Sequence, residues 1–467
     1  MSEKPHVSLS VVGHVDAGKS TSSSRLIYEL GGISERDMQK LQEKAKEVGK
    51  ESFGFAFFMD NQKEEQERGI TINVNTKEFY TDKYHYSIVD CPGHRDYIKN
   101  MISGASQTDI ALLMVPANRG GFETSIQKGD HKTGVVQGQT RQHARLLKLL
   151  GVEQLIVGIN KMDDTSVNYS EERFNEIKAE VSSMLEKIGY KLPRVAFIPF
   201  SGFKGENLTK KTDKMPWYKG FDVAVSKDKK ATGHTILDAL NNVVRLPPRK
   251  IDEAVRVPVS GVYKIKGVGD VVTGRVEQGA IKPGQTLKFV PSGAVGKAFT
   301  VEMHHKSVPQ ALAGDNVGIN VKGLDKENMP RAGDVIVVQG DPHDTTNPRP
   351  VAEFTAVIAV QEHPGELHAT SEDGKGGFCP NIHIRTGKGP CQLKHINWRS
   401  GKETGGNKQK DAKYVKQNDQ AEVVFVPRTP MYVESFKTCP GLGRIAVMDS
   451  NQLVMLGKVT NVVYKNE

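Results

Sequence analysis

The sequence predicts one α/β domain with a mainly parallel sheet, followed by two all-β barrels. Three observations carry this. Over residues 1–245 short apolar runs alternate with helix-period stretches. Two prolines in Leu246-Pro247-Pro248-Arg249 then stop any helix, and only short alternating segments follow. A second Gly/Pro-rich break at 340–350 divides those segments into two groups. With 467 residues and about 100–200 per domain, length also argues for three domains, drawn here at 1–246, 247–345 and 346–467.

In the first region Val7-Ser8-Leu9-Ser10-Val11-Val12 reads as a buried strand, with a helix over 19–30 after it. Continuous apolar runs at 86–89, 110–115, 154–159 and 195–199 read as further strands. Helices are predicted over 139–150, 170–188 and 235–244, on both faces of the sheet. The first barrel is predicted from segments 255–265, 271–277, 286–289, 299–305 and 316–321, punctuated by turns such as Lys282-Pro283-Gly284. The second occupies 351–463. Its polar, Gly-rich stretch 400–410 is expected to be a mobile loop.

Composition excludes several classes. Four cysteines, at 91, 379, 391 and 439, form no C-x-x-C pair, against a zinc ribbon or dithiol site and against a disulfide-dense secreted scaffold. Met1-Ser2-Glu3-Lys4-Pro5-His6 has no apolar signal core, and no apolar run nears the ~18 residues of a membrane span, so a cytoplasmic protein with no membrane partner is expected. The net charge of +9 permits a nucleic-acid partner. A solvated lysine-rich surface explains it equally well.

Gly13-His14-Val15-Asp16-Ala17-Gly18-Lys19-Ser20 fits G-x-x-x-x-G-K-[ST] between a predicted strand and a predicted helix. Glycines there let backbone N–H groups wrap phosphates, and the helix N-terminus favours negative charge. Lys19 would reach the β- and γ-phosphates and Ser20 would ligate Mg²⁺. Asp90-Cys91-Pro92-Gly93-His94 follows a strand, where Asp90 can hold Mg²⁺ through water. Asn160-Lys161-Met162-Asp163 follows another, and a carboxylate there can accept the two donors of a guanine edge. Ser201-Gly202-Phe203 follows the next, offering main-chain donors to back the base. Each tetrapeptide alone is weak. In order, each at the carboxyl end of a strand, they predict a guanine-nucleotide site for GTP and GDP. Glu67-Arg68-Gly69-Ile70-Thr71-Ile72 lies between the first two motifs. Thr71 there could complete a Mg²⁺ shell only while a γ-phosphate is present, which makes an order–disorder switch. Taken locally, it is equally a β-branched residue that begins a strand.

These residues resemble the translational GTPases of the elongation factor 1-alpha / Tu class. The likeness continues through Gly93-His94-Arg95-Asp96-Tyr97-Ile98-Lys99-Asn100-Met101-Ile102 and Met215-Pro216-Trp217-Tyr218-Lys219-Gly220. In the barrels it runs on through Glu302-Met303-His304-His305 and Gly314-Asp315-Asn316-Val317-Gly318 to Val433-Glu434-Ser435-Phe436 and Leu442-Gly443-Arg444, so nearly the whole chain is covered. Cys91, a long 124–137 segment, and Met448 and Asn451 where arginines are usual make the chain most similar to the divergent elongation factor-like branch.

The resemblance implies GTP-dependent delivery of aminoacyl-tRNA to the ribosomal A site, with hydrolysis triggered by the ribosome and a guanine-nucleotide exchange factor as further partner. It implies that His94 orients the attacking water after passing a hydrophobic gate of Val15 and Ile70. It also implies that His304 and Asn316 hold the aminoacyl end of tRNA; locally, a histidine on a strand is more often a surface residue. Two other readings share the fold. One is a release-factor 3 or ribosome-rescue GTPase that carries a tRNA-mimicking protein; early arrival at the phosphate loop, by Gly13, is expected to set this chain apart from it. The other is a sulfate-adenylating subunit, to which nothing in the barrels points.

Overall fold

The computed structural model describes residues 4–47, 49–50, 53–60, 62–127, 138–226, 228–303, 306–361, 363, 365–371, 376–450 and 452–466. His304, Asn451 and most of the 124–137 segment lie outside the described residues. The chain divides into two compact units, Met1–Pro247 and Pro248–Glu467. Among the described residues no helix is long and apolar enough to cross a membrane.

In the first unit, strands β1 (His6–Gly13), β2 (Asn75–Tyr80), β3 (His85–Asp90), β4 (Ile110–Pro116), β5 (Gln154–Asn160) and β6 (Ala196–Pro199) form one sheet in the order β2-β3-β1-β4-β5-β6. All neighbours are parallel except β2, which runs antiparallel to β3. The parallel strands are buried almost throughout, with every residue of β4 inside, which is why they read as unbroken apolar runs. Strand β2 was not anticipated. Only Phe79 of its six residues is buried, so no apolar run marks it.

The helices are α1 (Lys19–Glu29), α2 (Glu35–Glu47), α3 (Ala56–Met59), α4 (Lys63–Arg68), α5 (Ile98–Ala105), α6 (Gly121–Ile126), α7 (Gln139–Leu150), α8 (Glu171–Ile188) and α9 (Ile236–Asn242). In α8, Phe174, Ile177, Val181, Met184 and Leu185 recur at helical spacing on the buried face. The Ser170 hydroxyl accepts the Arg173 N–H at its start, and Gly189 ends it in a left-handed conformation. Ser170 and Thr235 are therefore caps rather than first helical residues. Helix α2 was not anticipated either: among its charges only Met38 and Ala45 are buried. Strands β7 (Phe221–Ala224) and β8 (Lys230–Gly233) add a small antiparallel pair.

The second unit holds two closed antiparallel barrels of six strands each. The first ring runs Thr286–Val290, Val335–Val338, Val257–Ile265, Gly269–Arg275, Asn316–Lys322, Val295–Met303, and the last strand pairs with the first to close it. The segment expected at 271–277 sits two residues earlier, with a register shift at Thr273/Gly274. The second ring runs Asn381–Ile384, Arg444–Asp449, Gln452–Tyr464, Val351–Val360, Gln420–Pro427, Gly387–Ser400 and closes the same way. The stretch expected as a mobile loop at 400–410 is a hydrogen-bonded hairpin end: Trp398 and Arg399 pair with Lys410 and Gln409, and the Ser400 hydroxyl donates to the Gly406 carbonyl.

Arg256 ties the two barrels into one unit. Fully buried, it donates to Asp344 at 2.8 and 3.0 Å, to the Thr346 hydroxyl at 2.8 Å and to Glu434, which also takes the Tyr432 hydroxyl. Asp344 and Thr346 belong to the 340–350 break, so that segment separates the sheets while bonding them together. A cation buried so deeply is tolerated only because acceptors surround it.

Candidate functional site

A cavity of about 480 Å³ opens at the carboxyl ends of β1, β3, β5 and β6. Val15, Asp16, Gly18, Lys19, Ser20, Ile70, Thr71, Gly93, His94, Asn160, Lys161, Asp163 and Phe203 line it, so residues spread over almost 190 positions converge there. Gly13, His14, Ala17, Asp90, Cys91, Pro92, Met162, Ser201 and Gly202 are not among its lining residues.

The phosphate loop owes its shape to backbone that only certain residues accept. Asp16 and Gly18 both have positive φ, and a Cβ on Gly18 would stand 2.4 Å from Asn160 Nδ2. Asn160 itself donates to the Ala17 carbonyl (2.9 Å) and accepts from the Gly202 N–H (2.8 Å), stapling the loop to the 201–203 segment. The amides expected to back a base are partly committed inside the protein. Ser201 N–H donates to the Glu206 carbonyl and Gly202 N–H to Asn160, so Phe203 is the member of that trio that reaches the cavity.

Lys19 is buried, and its ammonium donates to the His14 carbonyl at 2.8 Å. Burial holds it below the usual lysine range, opposed by the carboxylates of Asp90 and Asp16. One histidine stands behind the loop and another belongs to it. His143, wholly buried, accepts the Gly13 N–H on Nδ1 at 3.2 Å, and burial, reinforced by Lys19 and His14, pushes its pKa down to about 3. His14 is lowered as well, first by burial and then by Lys19.

Beside Ser20 lies a cluster of oxygens. The Ser20 and Thr71 hydroxyls are 3.1 Å apart, and Thr71 donates to Asp60 Oδ1 at 2.8 Å. Asp90 is fully buried, with the Ser20 hydroxyl and the Lys19 ammonium near its carboxylate. Burial pushes it up to about 6, opposed by Ser20 and Lys19. Asp60 is raised to about 7 by burial and by the nearby charge of Asp90. Among the described residues no group of three or more His, Cys, Asp or Glu could hold a metal. The hydroxyls of Ser20 and Thr71 and the carboxylates of Asp60 and Asp90 are instead the hard oxygen set that a Mg²⁺ ion accepts alongside water and phosphate. Asp60 escaped the sequence reading. Its signal is a single acid ending the apolar run Phe57-Phe58-Met59.

His94 lines the cavity, and its Nδ1 also accepts the Asp96 N–H at 3.3 Å, capping the short 3₁₀ turn Arg95–Tyr97. The same Nδ1 stands 3.5 Å from Asp96 Oδ2. Val15 and Ile70 line the same cavity. On the first barrel, Asn316 opens its strand opposite Arg275; its expected companion His304 is outside the described residues.

Residues 4–246 match the model of the elongation factor Tu GTP binding domain, 269–337 that of elongation factor Tu domain 2, and 353–460 that of the GTP-eEF1A C-terminal domain-like family. Among solved structures, the chain is similar to the S. cerevisiae Ski7 GTPase-like domain bound to GDP and inorganic phosphate: 18% identity over 98% of both chains, TM-score 0.77. It is also similar to translation elongation factor SelB from Methanococcus maripaludis in complex with a GTP analogue: 20% identity over 99% of this chain and 81% of that one, TM-score 0.65. At these identities the likeness is one of fold.

Proposed function

Because the chain belongs to the translational GTPases that carry the elongation factor Tu GTP-binding domain, matched over residues 4–246, we propose that it delivers aminoacyl-tRNA to the ribosome, as a member of the elongation factor-like branch. It is a GTPase. The observation that carries the switch half of this reading is Thr71, held 3.1 Å from the Ser20 hydroxyl and bonded to Asp60 on the wall of the nucleotide cavity. A threonine from a connecting segment that reaches the phosphate-loop serine is what a γ-phosphate-dependent switch requires. The carrier half rests on the resemblance of the barrels, including the match of 353–460 to the eEF1A-type C-terminal domain.

In this reading the loop amides and Lys19 bind the β- and γ-phosphates, and Asp163, with Phe203 beside it, recognises guanine. Ser20 and Thr71 would hold Mg²⁺ directly, and Asp90 and Asp60 through water. The ion would neutralise charge building on the phosphate oxygens. His94 would orient water at the γ-phosphate once it moves past Val15 and Ile70. Little proton abstraction is needed early in phosphoryl transfer, so its work is positioning. Asn316 and His304 would hold the aminoacyl end, and an exchange factor would reload the site.

Recovering the protein from its own cells with a non-hydrolysable GTP analogue tests the proposal. Aminoacylated tRNA in the complex supports it; a stoichiometric protein in place of RNA points to the release-factor or rescue reading instead.

A further inference from the structure

Residues 71–74 precede β2 and are joined to the rest of the unit by side chains. Glu65, on α4, is fully buried. One of its oxygens accepts the N–H groups of both Ile72 (3.0 Å) and Asn73 (2.9 Å), while the other faces the Gln62 N–H at 3.4 Å. A cap for α4 would need only the last of these. From the opposite side Asn100, in the first turn of α5, donates its Nδ2–H to the Ile72 carbonyl at 2.8 Å. The same helix touches the segment again two residues on: a Cβ at Gly104 would stand 2.9 Å from both methyls of Val74. Ile72 is thus gripped at its N–H by one element and at its C=O by another, one residue after Thr71. Helix α5, which supplies the second grip, follows directly from the turn that His94 caps.

We propose that Glu65 and Asn100 clamp the Ile72 peptide from its two sides and so couple the His94-bearing helix to the position of Thr71. Neither side chain lines the nucleotide cavity, so both are positioning residues, and the inference rests on the reading of Thr71 as a ligand recruited by the γ-phosphate. A buried carboxylate costs a great deal unless its lone pairs are taken up. Glu65 meets that cost with three backbone donors, two of them in the segment it positions. When α5 shifts, Asn100 carries the Ile72 carbonyl with it. When Thr71 is released, the hold on α5 weakens in return.

The test is the affinity of the full-length protein, with Mg²⁺, for GDP and for a non-hydrolysable GTP analogue, together with amide exchange across residues 70–75. Asn100→Ala should weaken the analogue by about 2- to 10-fold, the worth of one net hydrogen bond, and leave GDP within about 2-fold. Exchange at Ile72 and Asn73 should rise in the analogue state. Glu65→Gln should act in the same direction, and the double variant should fall short of the product of the two, because both grip one peptide. Thermal melting of the GDP form checks that each variant folds. If Asn100→Ala weakens both nucleotides equally, Asn100 is merely structural and the proposal is overturned. If it alters neither while Thr71→Ala selectively weakens the analogue, the clamp is wrong and the switch reading stands. If Thr71→Ala has no selective effect, the switch reading fails and takes the clamp with it.

Discussion

Gly93 packs against the ammonium of Lys19: a Cβ at Gly93 would stand 2.3 Å from Lys19 Nζ, 2.9 Å from the Val15 nitrogen and 3.0 Å from the Gly13 oxygen. The long lysine side chain could swing away from an added methyl, but the two backbone atoms could not. The second motif of the site is therefore shaped by the first, across some 74 residues of sequence.

Gly93→Ala should displace Lys19 from the phosphates. Losing hydrogen bonds to a charged group costs ~1.5–3 kcal/mol, so GDP and GTP should both bind about 10- to 150-fold more weakly by calorimetry. Unchanged affinities would mean that Lys19 does not serve the phosphates.

Asp163→Asn should remove the acceptor pair for the guanine edge. GDP affinity should drop by a similar factor of about 10–150, and preference should turn toward xanthine nucleotides. GDP bound as tightly as by the unaltered chain would refute the base assignment.

Asp60 should make stability depend on pH. In the folded protein its carboxyl is raised to about 7 and that of Asp90 to about 6, both above the ordinary 3.8. Between roughly pH 4 and 7 the folded chain therefore holds protons that the unfolded chain gives up, and stability falls as pH rises. His143, lowered to about 3, acts the other way below pH ~6.5, where the unfolded chain takes up a proton that the fold refuses. Comparing Asp60→Asn with the parent in melting curves under EDTA separates the two. The variant's advantage should grow from pH 5 to pH 8, reaching on the order of a few kcal/mol. A difference that does not change with pH would contradict the raised carboxyl.

His94→Ala should cut ribosome-stimulated GTP hydrolysis by at least ~100-fold in single-turnover assays, since orientation effects are worth several kcal/mol. Nucleotide binding should remain near the parent level. Stimulated hydrolysis surviving within a few-fold would leave His94 with only the capping bond it makes to Asp96.

The sequence disclosed those parts of the molecule whose physics is local. Strands β1, β3, β4 and β5 are buried on both faces, so they show as apolar runs, and the phosphate loop is written in glycines that its backbone demands. What stayed hidden is tertiary. Asp60 enters the oxygen cluster only because α3 carries it beside Ser20 and Thr71. His143 looks like any helical histidine until Gly13 is found at its Nδ1. Arg256 looks like a surface charge until Asp344 of the 340–350 break and Glu434 close round it. Strand β2 buries too few side chains to leave a periodic mark, and helix α2, amphipathic but dominated by charge, buries only Met38 and Ala45.

The most direct test of the whole account is protection of aminoacyl-tRNA against spontaneous deacylation, measured with the intact protein in a GTP analogue and in GDP. The account predicts strong protection with the analogue, little with GDP, and loss of the difference in Thr71→Ala. Affinity should also fall with salt, as phosphate contacts require, by ~0.7–0.9 in log units per neutralised phosphate for each log unit of salt. Equal protection in the two nucleotide states, or none in either, would contradict it.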